Sequence, residues 1–150
     1  MKFHRCHGKR YICIILTCCI FVLILHNSMY SIISSNMQSG FVLNCINRIL
    51  FQADFNFTLT QFAVRKMAHF IEYFFFGLLL TITFITCTKS RQKSFWTELF
   101  LFLAAPAVDE TIQLFYYGRN SSVLDIWIDF CGCMAGMGIY YLVCFFSHSK

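Results

Sequence analysis

Charged residues are scarce in this sequence, and that scarcity excludes an ordinary soluble domain. Asp, Glu, Lys and Arg make up 13% of the 150 residues, whereas 58% are hydrophobic and 19 are phenylalanine. A soluble domain would be about one quarter charged. One proline and seven glycines leave no long disordered linker. The basic residues form no stripe with interleaved aromatics, which argues against nucleic acid as a partner. The composition therefore indicates one compact domain of membrane helices over residues 1–150.

Cysteine is present, but its diagnostic patterns are missing. The nine cysteines contain no C-x-x-C motif, and most lie inside apolar runs, where cysteine acts as a small hydrophobe. Cys131 and Cys133 point to different sides of a helix, which argues against a metal pair. The number is odd and only Cys45 lies in a clear loop, so a disulfide framework is not supported. The sequence thus assigns no metal and no cofactor.

The first apolar segment follows a basic N-terminus. MKFHRCHGKR contains four Lys or Arg and no acid, and the apolar run Tyr11–Leu25 is interrupted only by Thr17. A cleaved secretory signal has the same basic head and apolar core. However, no A-x-A-like cleavage site follows the run. We therefore expect an uncleaved first span over residues 11–30, with the signal peptide as the alternative.

The connection after this span is predicted to contain a short amphipathic helix. Residues 31–40 are polar and typical of a turn, and GFVLNCINRILFQ at 40–52 then places most of its apolar residues on one side of a helix. That segment is too short to cross a bilayer and is expected at the interface. A loop helix packed on the bundle would have the same pattern, so both interpretations stay open.

Three further spans are predicted, at residues 64–87, 95–117 and 123–146. Thr58–Gln61 fits a capping box that would begin the second membrane helix at Thr58. Glu98 is interpreted as an acid near the start of the third helix. Gly132-x-x-x-Gly136 on the last helix is a small-residue face that lets another helix approach closely. The predicted fold is an all-α integral membrane protein, a bundle of four transmembrane helices with the short amphipathic helix in the first extracytoplasmic loop.

The basic residues predict an orientation for these four spans. With the N-terminus in the cytoplasm, eight Lys or Arg lie in inside segments and four lie in outside segments. Cytoplasmic segments carry the excess of Lys and Arg in membrane proteins. We therefore expect both termini in the cytoplasm. The outside cations are Arg48, Arg65, Lys66 and Arg119.

Polar side chains from three helices are expected at one level of this bundle. Arg65, His69 and Glu72 fall at i, i+4 and i+7, so they share a helical face. At about 1.5 Å of rise per residue, the His and the acids lie about 6–12 Å below the outer ends of their helices. Five of the seven acids in the chain belong to this layer. Its acids are Glu72, Asp109, Glu110, Asp125 and Asp129.

Three motifs carry a resemblance to a known family. RKMAHFIEY at 65–73, DETIQLFYYGR at 109–119 and SVLDIWIDFCG at 122–132 resemble, in this order, the motifs of the VanZ-like membrane proteins. The resemblance implies a bacterial protein of the cytoplasmic membrane and cell envelope. The family's namesake is associated with low-level resistance to the lipoglycopeptide teicoplanin, and no particular reaction is implied. The motif positions carried over are Arg65, Lys66, His69, Glu72, Tyr73, Asp109, Glu110, Gln113, Gly118, Arg119, Asp125 and Asp129.

These residues admit a structural and a binding interpretation. In the structural one, Arg65, Lys66, His69 and Arg119 neutralise the acids and hold the helices together, as buried ion pairs can. In the binding one, Arg65, Lys66 and Arg119 bind the phosphate or carboxylate of an anionic, lipid-linked envelope ligand, such as a cell-wall precursor or a lipoglycopeptide. The remaining polar residues of the layer, Tyr73 and Gln113 included, would complete the ligand-binding site.

A third interpretation is a membrane-embedded hydrolase or transferase. His69, Glu72, Asp109 and Glu110 are its candidate catalytic residues, either with His69 as a base or with a divalent metal held among them. One histidine is few for zinc, and the sequence contains no nucleophile motif or phosphate loop. The sequence leaves the choice among network, binding site and enzyme open, together with the oligomeric state.

Overall fold

The described chain is entirely helical. A computed structural model describes residues 3–30, 32–54, 57–88, 91–116, 119 and 121–148. Within these residues there are five helices and no strand, which confirms the all-α prediction. The helices are α1 (Phe3–Ser28), α2 (Ile32–Gln52), α3 (Gln61–Cys87), α4 (Arg91–Gln113) and α5 (Val123–His148).

Three of the helices are long and apolar enough to cross a membrane. The candidate spans are Gly8–Ser28, Gln61–Cys87 and Val123–Ser147. Large apolar side chains such as Tyr11, Phe75 and Phe145 are exposed along them, as expected where lipid is the solvent. The predicted span 95–117 falls mainly on α4, which carries three buried acids and is not among these candidates. A fourth span on α4 therefore stays a prediction, and residue 117 lies outside the described residues.

Helix α3 is the centre of the bundle and packs against each of the other four helices. Its buried residues Tyr73, Phe76, Gly77, Leu80 and Thr81 recur at intervals of three and four, the spacing that gives a helix one buried stripe. Around this stripe α1, α4 and α5 contribute the rest of the core. The additional core residues are Ile24, Phe102, Ala105, Cys133 and Met137.

Glycines allow α3 and α5 to approach until their backbones touch. A Cβ added at Gly132 would lie 2.6 Å from the carbonyl oxygen of Phe70, and one at Gly136 would lie 2.7 Å from the backbone nitrogen of Leu78. A Cβ at Gly77 would likewise collide with the backbone of Cys133. The predicted small-residue face is thus confirmed as a contact within the chain. It brings the start of α5 against the start of α3.

Helix α2 is longer than predicted. Residues 32–40, expected to form a turn, continue into the predicted helix and make one element of 21 residues. A tertiary contact contributes to this difference, because Ser39 is buried and its hydroxyl accepts a hydrogen bond of 3.1 Å from Gln61. Whether α2 lies at the interface stays a prediction, although Phe41 and Phe51 are exposed on it.

The prediction that α3 begins at Thr58 was wrong. Thr60 is the N-cap, and its side chain accepts a hydrogen bond of 3.2 Å from the backbone N–H of Ala63. The preceding residue is fixed by α2, since Asn47 accepts from the N–H of Leu59 at 2.8 Å and donates to its carbonyl at 3.2 Å. The contact of Leu59 with α2 therefore favours Thr60 over Thr58 as the N-cap.

Candidate functional site

An open cavity of about 200 Å³ lies among α1, α2, α3 and the loop before α5. We call it the arginine cavity, because Arg65 of α3 and Arg119 of the loop both line it. Pockets for drug-sized ligands are typically about 300–1,000 Å³, so this volume suits a head group better than a whole lipid or glycopeptide. The remaining lining residues are Asn27, Ser39, Val42, Val64, Ala68, His69 and Glu72.

Two guanidinium groups give the arginine cavity a positive character. In the described part of the chain, the Nε of Arg119 is buried without a hydrogen-bond partner. Burial lowers the pKa of Arg119 from its ordinary value, Arg65 acts in the same direction, and the acids Asp109, Glu110 and Glu72 oppose the shift. Arginine nevertheless keeps its charge in proteins. The loop before α5 therefore presents a cationic donor group that has unused hydrogen-bonding capacity.

Glu72, the acid that lines this cavity, is hydrogen-bonded to a residue of the first helix. Asn27, near the end of α1, donates a hydrogen bond of 2.8 Å to Oε1 of Glu72 on α3. Glu72 falls on the same face as Arg65 and His69, as the sequence spacing predicts. Asn27 and Ser39 were not identified from the sequence as site residues. The one available signal for Asn27 was the polar stretch His26–Ser28 that directly follows the first apolar run.

Two fully buried aspartates lie beside His69. Asp109 of α4 and Asp129 of α5 are both 0% exposed, and each offers an oxygen that lies within 4.8 Å of the other's and of a ring nitrogen of His69. Among the described residues, neither oxygen of Asp129 has a hydrogen-bond partner, and the same is true of Asp109 Oδ1 and His69 Nδ1. This His69–Asp109–Asp129 group is therefore a set of converging donor atoms that could hold a metal ion.

Two other predicted residues surround these aspartates. Gln113, one turn after Asp109, donates to its Oδ2 at 3.2 Å and is 3.5 Å from the hydroxyl of Ser28 on α1. Tyr73 is completely buried, and its hydroxyl has no hydrogen-bond partner among the described residues. Both residues therefore lie in the interior and not on the wall of the arginine cavity.

Lys66 is not part of the arginine cavity. Its ammonium group forms an ion pair with Asp125 in the first turn of α5, and it lies 5.0 Å from the centre of the Phe62 ring. Both side chains of the pair are partly buried, at 17% and 16% exposure. This ion pair is of the kind that the structural interpretation expects, and it links α3 to α5.

Glu110 also has a local partner. It is 2% exposed, and Oε2 accepts a hydrogen bond of 3.1 Å from the backbone N–H of Ser122, just before α5. The carboxylate thereby holds the loop that carries Arg119 against α4. The predicted layer therefore separates into the arginine cavity, the His69–Asp109–Asp129 group beside it and two structural contacts, with His69 shared by the first two.

Comparison with known proteins identifies one relationship. The protein-family model described as VanZ/LLP1 matches residues 13–145, which is most of the chain. No curated protein and no solved structure matches the chain.

Proposed function

Because this chain belongs to the VanZ/LLP1 family and is a membrane protein by its apolar helices, we propose that it binds the anionic head group of a lipid-linked envelope ligand in the arginine cavity. The ligand would be a phosphate- or carboxylate-bearing molecule with a long apolar chain. A lipid-linked cell-wall precursor and a lipoglycopeptide both have this chemistry.

The observation that carries the proposal is the pairing of Arg65 and Arg119 in one cavity. Guanidinium groups bind phosphate and carboxylate through two parallel hydrogen bonds, which gives both affinity and orientation. Asn27 and Glu72, which also line this cavity, add an amide and a carboxylate, which suit the hydroxyl and amide groups of a sugar or peptide. The cavity thus offers separate partners for the anion and for neutral polar groups.

The apolar chain of the ligand would extend from the cavity along the bundle. Val42 and Val64 line the cavity itself. Phe41 of α2 and Phe62 of α3 are exposed on two of the helices that line it. Since the cavity volume is about 200 Å³, only the head group is enclosed and the chain remains in the bilayer. A lipid-linked ligand would thus have contacts both in the cavity and in the bilayer, whereas a small soluble anion would have contacts in the cavity alone.

In this proposal the protein lies in the bacterial cytoplasmic membrane with both termini in the cytoplasm, so that the arginine cavity opens toward the cell envelope. Occupying or altering surface precursors there would reduce the action of a lipid-anchored glycopeptide such as teicoplanin. The role in resistance rests on the family membership and on the head-group chemistry of the cavity together.

Direct binding measurements test the site. Purified protein in nanodiscs of zwitterionic lipid is titrated with a polyprenyl phosphate and, in parallel, with the uncharged polyprenyl alcohol. We expect Arg65→Ala and Arg119→Ala each to weaken phosphate binding by about 10- to 100-fold, since a charge-assisted hydrogen bond contributes roughly 1.5–3 kcal/mol. Arg48→Ala, which removes an exposed arginine of α2, is the matched control and should bind as the wild type does.

Equal affinity for the phosphate and the alcohol would contradict the proposal, as would unchanged phosphate affinity in both cavity variants. The cellular consequence is measured separately, as teicoplanin susceptibility of cells that hold wild type, Arg119→Ala or Arg48→Ala at equal membrane levels. We expect Arg119→Ala alone to lose protection.

A further inference from the structure

We propose that His69, Asp109 and Asp129 form a binding site for a divalent transition-metal ion, next to the arginine cavity. Three different helices contribute one donor each: α3 an imidazole, and α4 and α5 a carboxylate. This inference rests on the donor atoms themselves and does not depend on the ligand proposed above.

The first argument is the burial of two carboxylates whose oxygens are mostly without a hydrogen-bond partner in the described part of the chain. Asp109 and Asp129 are both 0% exposed, and among the described residues three of their four oxygens have no hydrogen-bond partner. A buried polar atom is normally hydrogen-bonded, and a buried charge is paired or coordinates a metal. Two carboxylates this close also repel one another. A positively charged group between the two carboxylates would supply the missing partners of their buried oxygens and would also remove their mutual repulsion.

The second argument is that the neighbouring lysine and arginine side chains have positions other than the space between the two aspartates. Lys66 forms its ion pair with Asp125, while Arg65 and Arg119 line the arginine cavity. Neither oxygen of Asp129 is hydrogen-bonded to any of them in the part of the chain that the structure describes. Among the described residues, therefore, no side-chain cation is hydrogen-bonded to Asp129 at the point where the three donors converge.

The third argument is the geometry of the donor set. The three atoms lie within 4.8 Å of one another, and ligand atoms bonded to one ion at about 2.0–2.2 Å lie up to roughly 4 Å apart. Small side-chain rotations would therefore bring all three into contact with one ion. Since α3 and α5 touch through Gly132, the backbone positions of His69 and Asp129 are fixed by close packing.

The donor types indicate which ion fits. Imidazole suits Zn²⁺, Fe²⁺ and similar ions, whereas Mg²⁺ and Ca²⁺ prefer oxygen alone. Nδ1 of His69 has no hydrogen-bond partner among the described residues, so its lone pair can coordinate. Gln113 donates to Oδ2 of Asp109 and leaves Oδ1 for the ion, as residues behind metal ligands commonly do. The imidazole of this set therefore favours Zn²⁺, and its two carboxylates also suit Mn²⁺.

The site borders the arginine cavity, because His69 lines that cavity. The competing occupant is a proton shared by the two aspartates, which would also remove their repulsion. A proton and a metal ion predict different results when the protein is stripped with a chelator and then titrated with metal.

The test uses the full-length protein in detergent micelles, stripped with a chelator and dialysed. It is titrated with Mn²⁺ and with Zn²⁺, and bound metal per chain is measured by mass spectrometry of the eluted ions. We expect one ion per chain in the wild type. We expect Asp129→Asn and His69→Gln to weaken binding by at least about 100-fold, since loss of a residue behind a ligand alone costs about 10- to 100-fold. Mn²⁺ is included because thiols bind Zn²⁺ readily but Mn²⁺ poorly.

Glu98→Gln is the matched control. Glu98 is equally buried, at 1% exposure, but it lies elsewhere on α4 and accepts a hydrogen bond from Thr81. This variant should bind metal as the wild type does. Less than stoichiometric metal in the wild type, or equal binding by wild type and Asp129→Asn, would overturn the proposal.

Thermal unfolding supplies a second readout. The wild type should unfold at a higher temperature with Mn²⁺ or Zn²⁺ than in chelator, because a ligand that binds only the folded state stabilises it. Asp129→Asn should show no such shift, and in chelator it should be at least as stable as the wild type because it lacks the repelling charge. A wild type whose unfolding temperature is the same with metal and with chelator would exclude the site even if the variants fail to fold.

Discussion

Asn27 of α1 donates a hydrogen bond of 2.8 Å from its Nδ2 atom to Oε1 of Glu72 of α3, across 45 positions of sequence. Both residues line the arginine cavity. The end of the first helix is therefore fixed against the helix that supplies Arg65 and His69. The spacing of the sequence predicts the helical face of Glu72 correctly, but it does not identify Asn27 as the hydrogen-bond partner that positions the Glu72 carboxylate.

The first prediction concerns this contact. Asn27→Ala removes the only donor that the structure gives to Glu72 within the described residues, and we expect the free energy of unfolding to fall by about 1–2 kcal/mol, the range for a hydrogen bond to a carboxylate near a surface. Unfolding in mixed detergent micelles measures it. Asn44→Ala, on an exposed position of α2, should change stability by less than about 0.5 kcal/mol. Equal effects of the two substitutions would contradict the proposed importance of the contact.

The second prediction concerns the contact between α3 and α5. A methyl group at Gly136 would meet the backbone of Phe74 and lie 2.7 Å from the nitrogen of Leu78. Since backbone atoms cannot move aside without shifting the helix, we expect Gly136→Ala to lower the free energy of unfolding by about 1–3 kcal/mol. The thermal unfolding midpoint in detergent measures it.

Gly138 supplies the matched control on the same helix. A Cβ there meets nothing within 4 Å among the described residues, and alanine favours the helix over glycine by about 0.5–1 kcal/mol. Gly138→Ala should therefore leave stability unchanged or raise it. If Gly136→Ala is as stable as Gly138→Ala, the two helices are not in backbone contact.

The third prediction concerns the Lys66–Asp125 ion pair. Because both side chains are partly buried, we expect a coupling energy of about 1–3 kcal/mol in a double-mutant cycle built from Lys66→Met and Asp125→Asn. Each single variant leaves one uncompensated charge, and the double variant removes both. A coupling energy near zero would mean that the pair behaves as an exposed surface ion pair does.

The fourth prediction concerns Glu98, which the sequence places near a helix start. It is buried at 1% exposure and accepts a hydrogen bond of 3.1 Å from Thr81, which is itself fully buried on α3. Thr81→Val should lower the free energy of unfolding by about 1.5–3 kcal/mol, because a hydrogen bond to a buried carboxylate is lost.

Thr111→Val is the control for this substitution. Thr111 is exposed, and its hydroxyl donates within its own helix to the carbonyl of Ala107 at 2.6 Å. The same chemical change there should alter stability by less than about 0.5 kcal/mol. The two variants are compared by their unfolding midpoints, and a smaller effect at Thr81 than at Thr111 would refute the interhelical contact.

Helix existence could be predicted from the sequence, whereas helix ends could not. Apolar runs and periodicity located α1, α3 and α5 because these features depend on side chains that are near in sequence. The start of α3 at Gln61 and the helical conformation around Ser39 in α2 are accompanied by contacts between the two helices, such as that of Gln61 with Ser39. Such contacts join positions that the sequence does not relate.

The sequence located several of the residues that line the arginine cavity, but it did not identify Asn27 and Ser39 or show how the polar residues group. Helical spacing placed Arg65, His69 and Glu72 on one face, and all three line the arginine cavity. Lys66 directly follows Arg65 and was expected to lie beside these residues, but it forms an ion pair with Asp125. A difference of about 100° between successive helical positions directs the two cations to different neighbours, and only the arrangement of the helices shows which neighbour is present.

The sequence by itself determined that this chain is helical, apolar and rich in polar residues at one level, and its three motifs indicated the family. These properties follow from composition and from spacing along single helices. Only the tertiary structure decided that Asp109 and Asp129, on different helices, meet His69 without a hydrogen-bonded cation among the described residues, while Arg65 and Arg119 line a cavity beside them. The physical reason is that the rotation and depth of each packed helix are set by contacts such as Gly132 against Phe70, and these contacts exist only when the chain is folded.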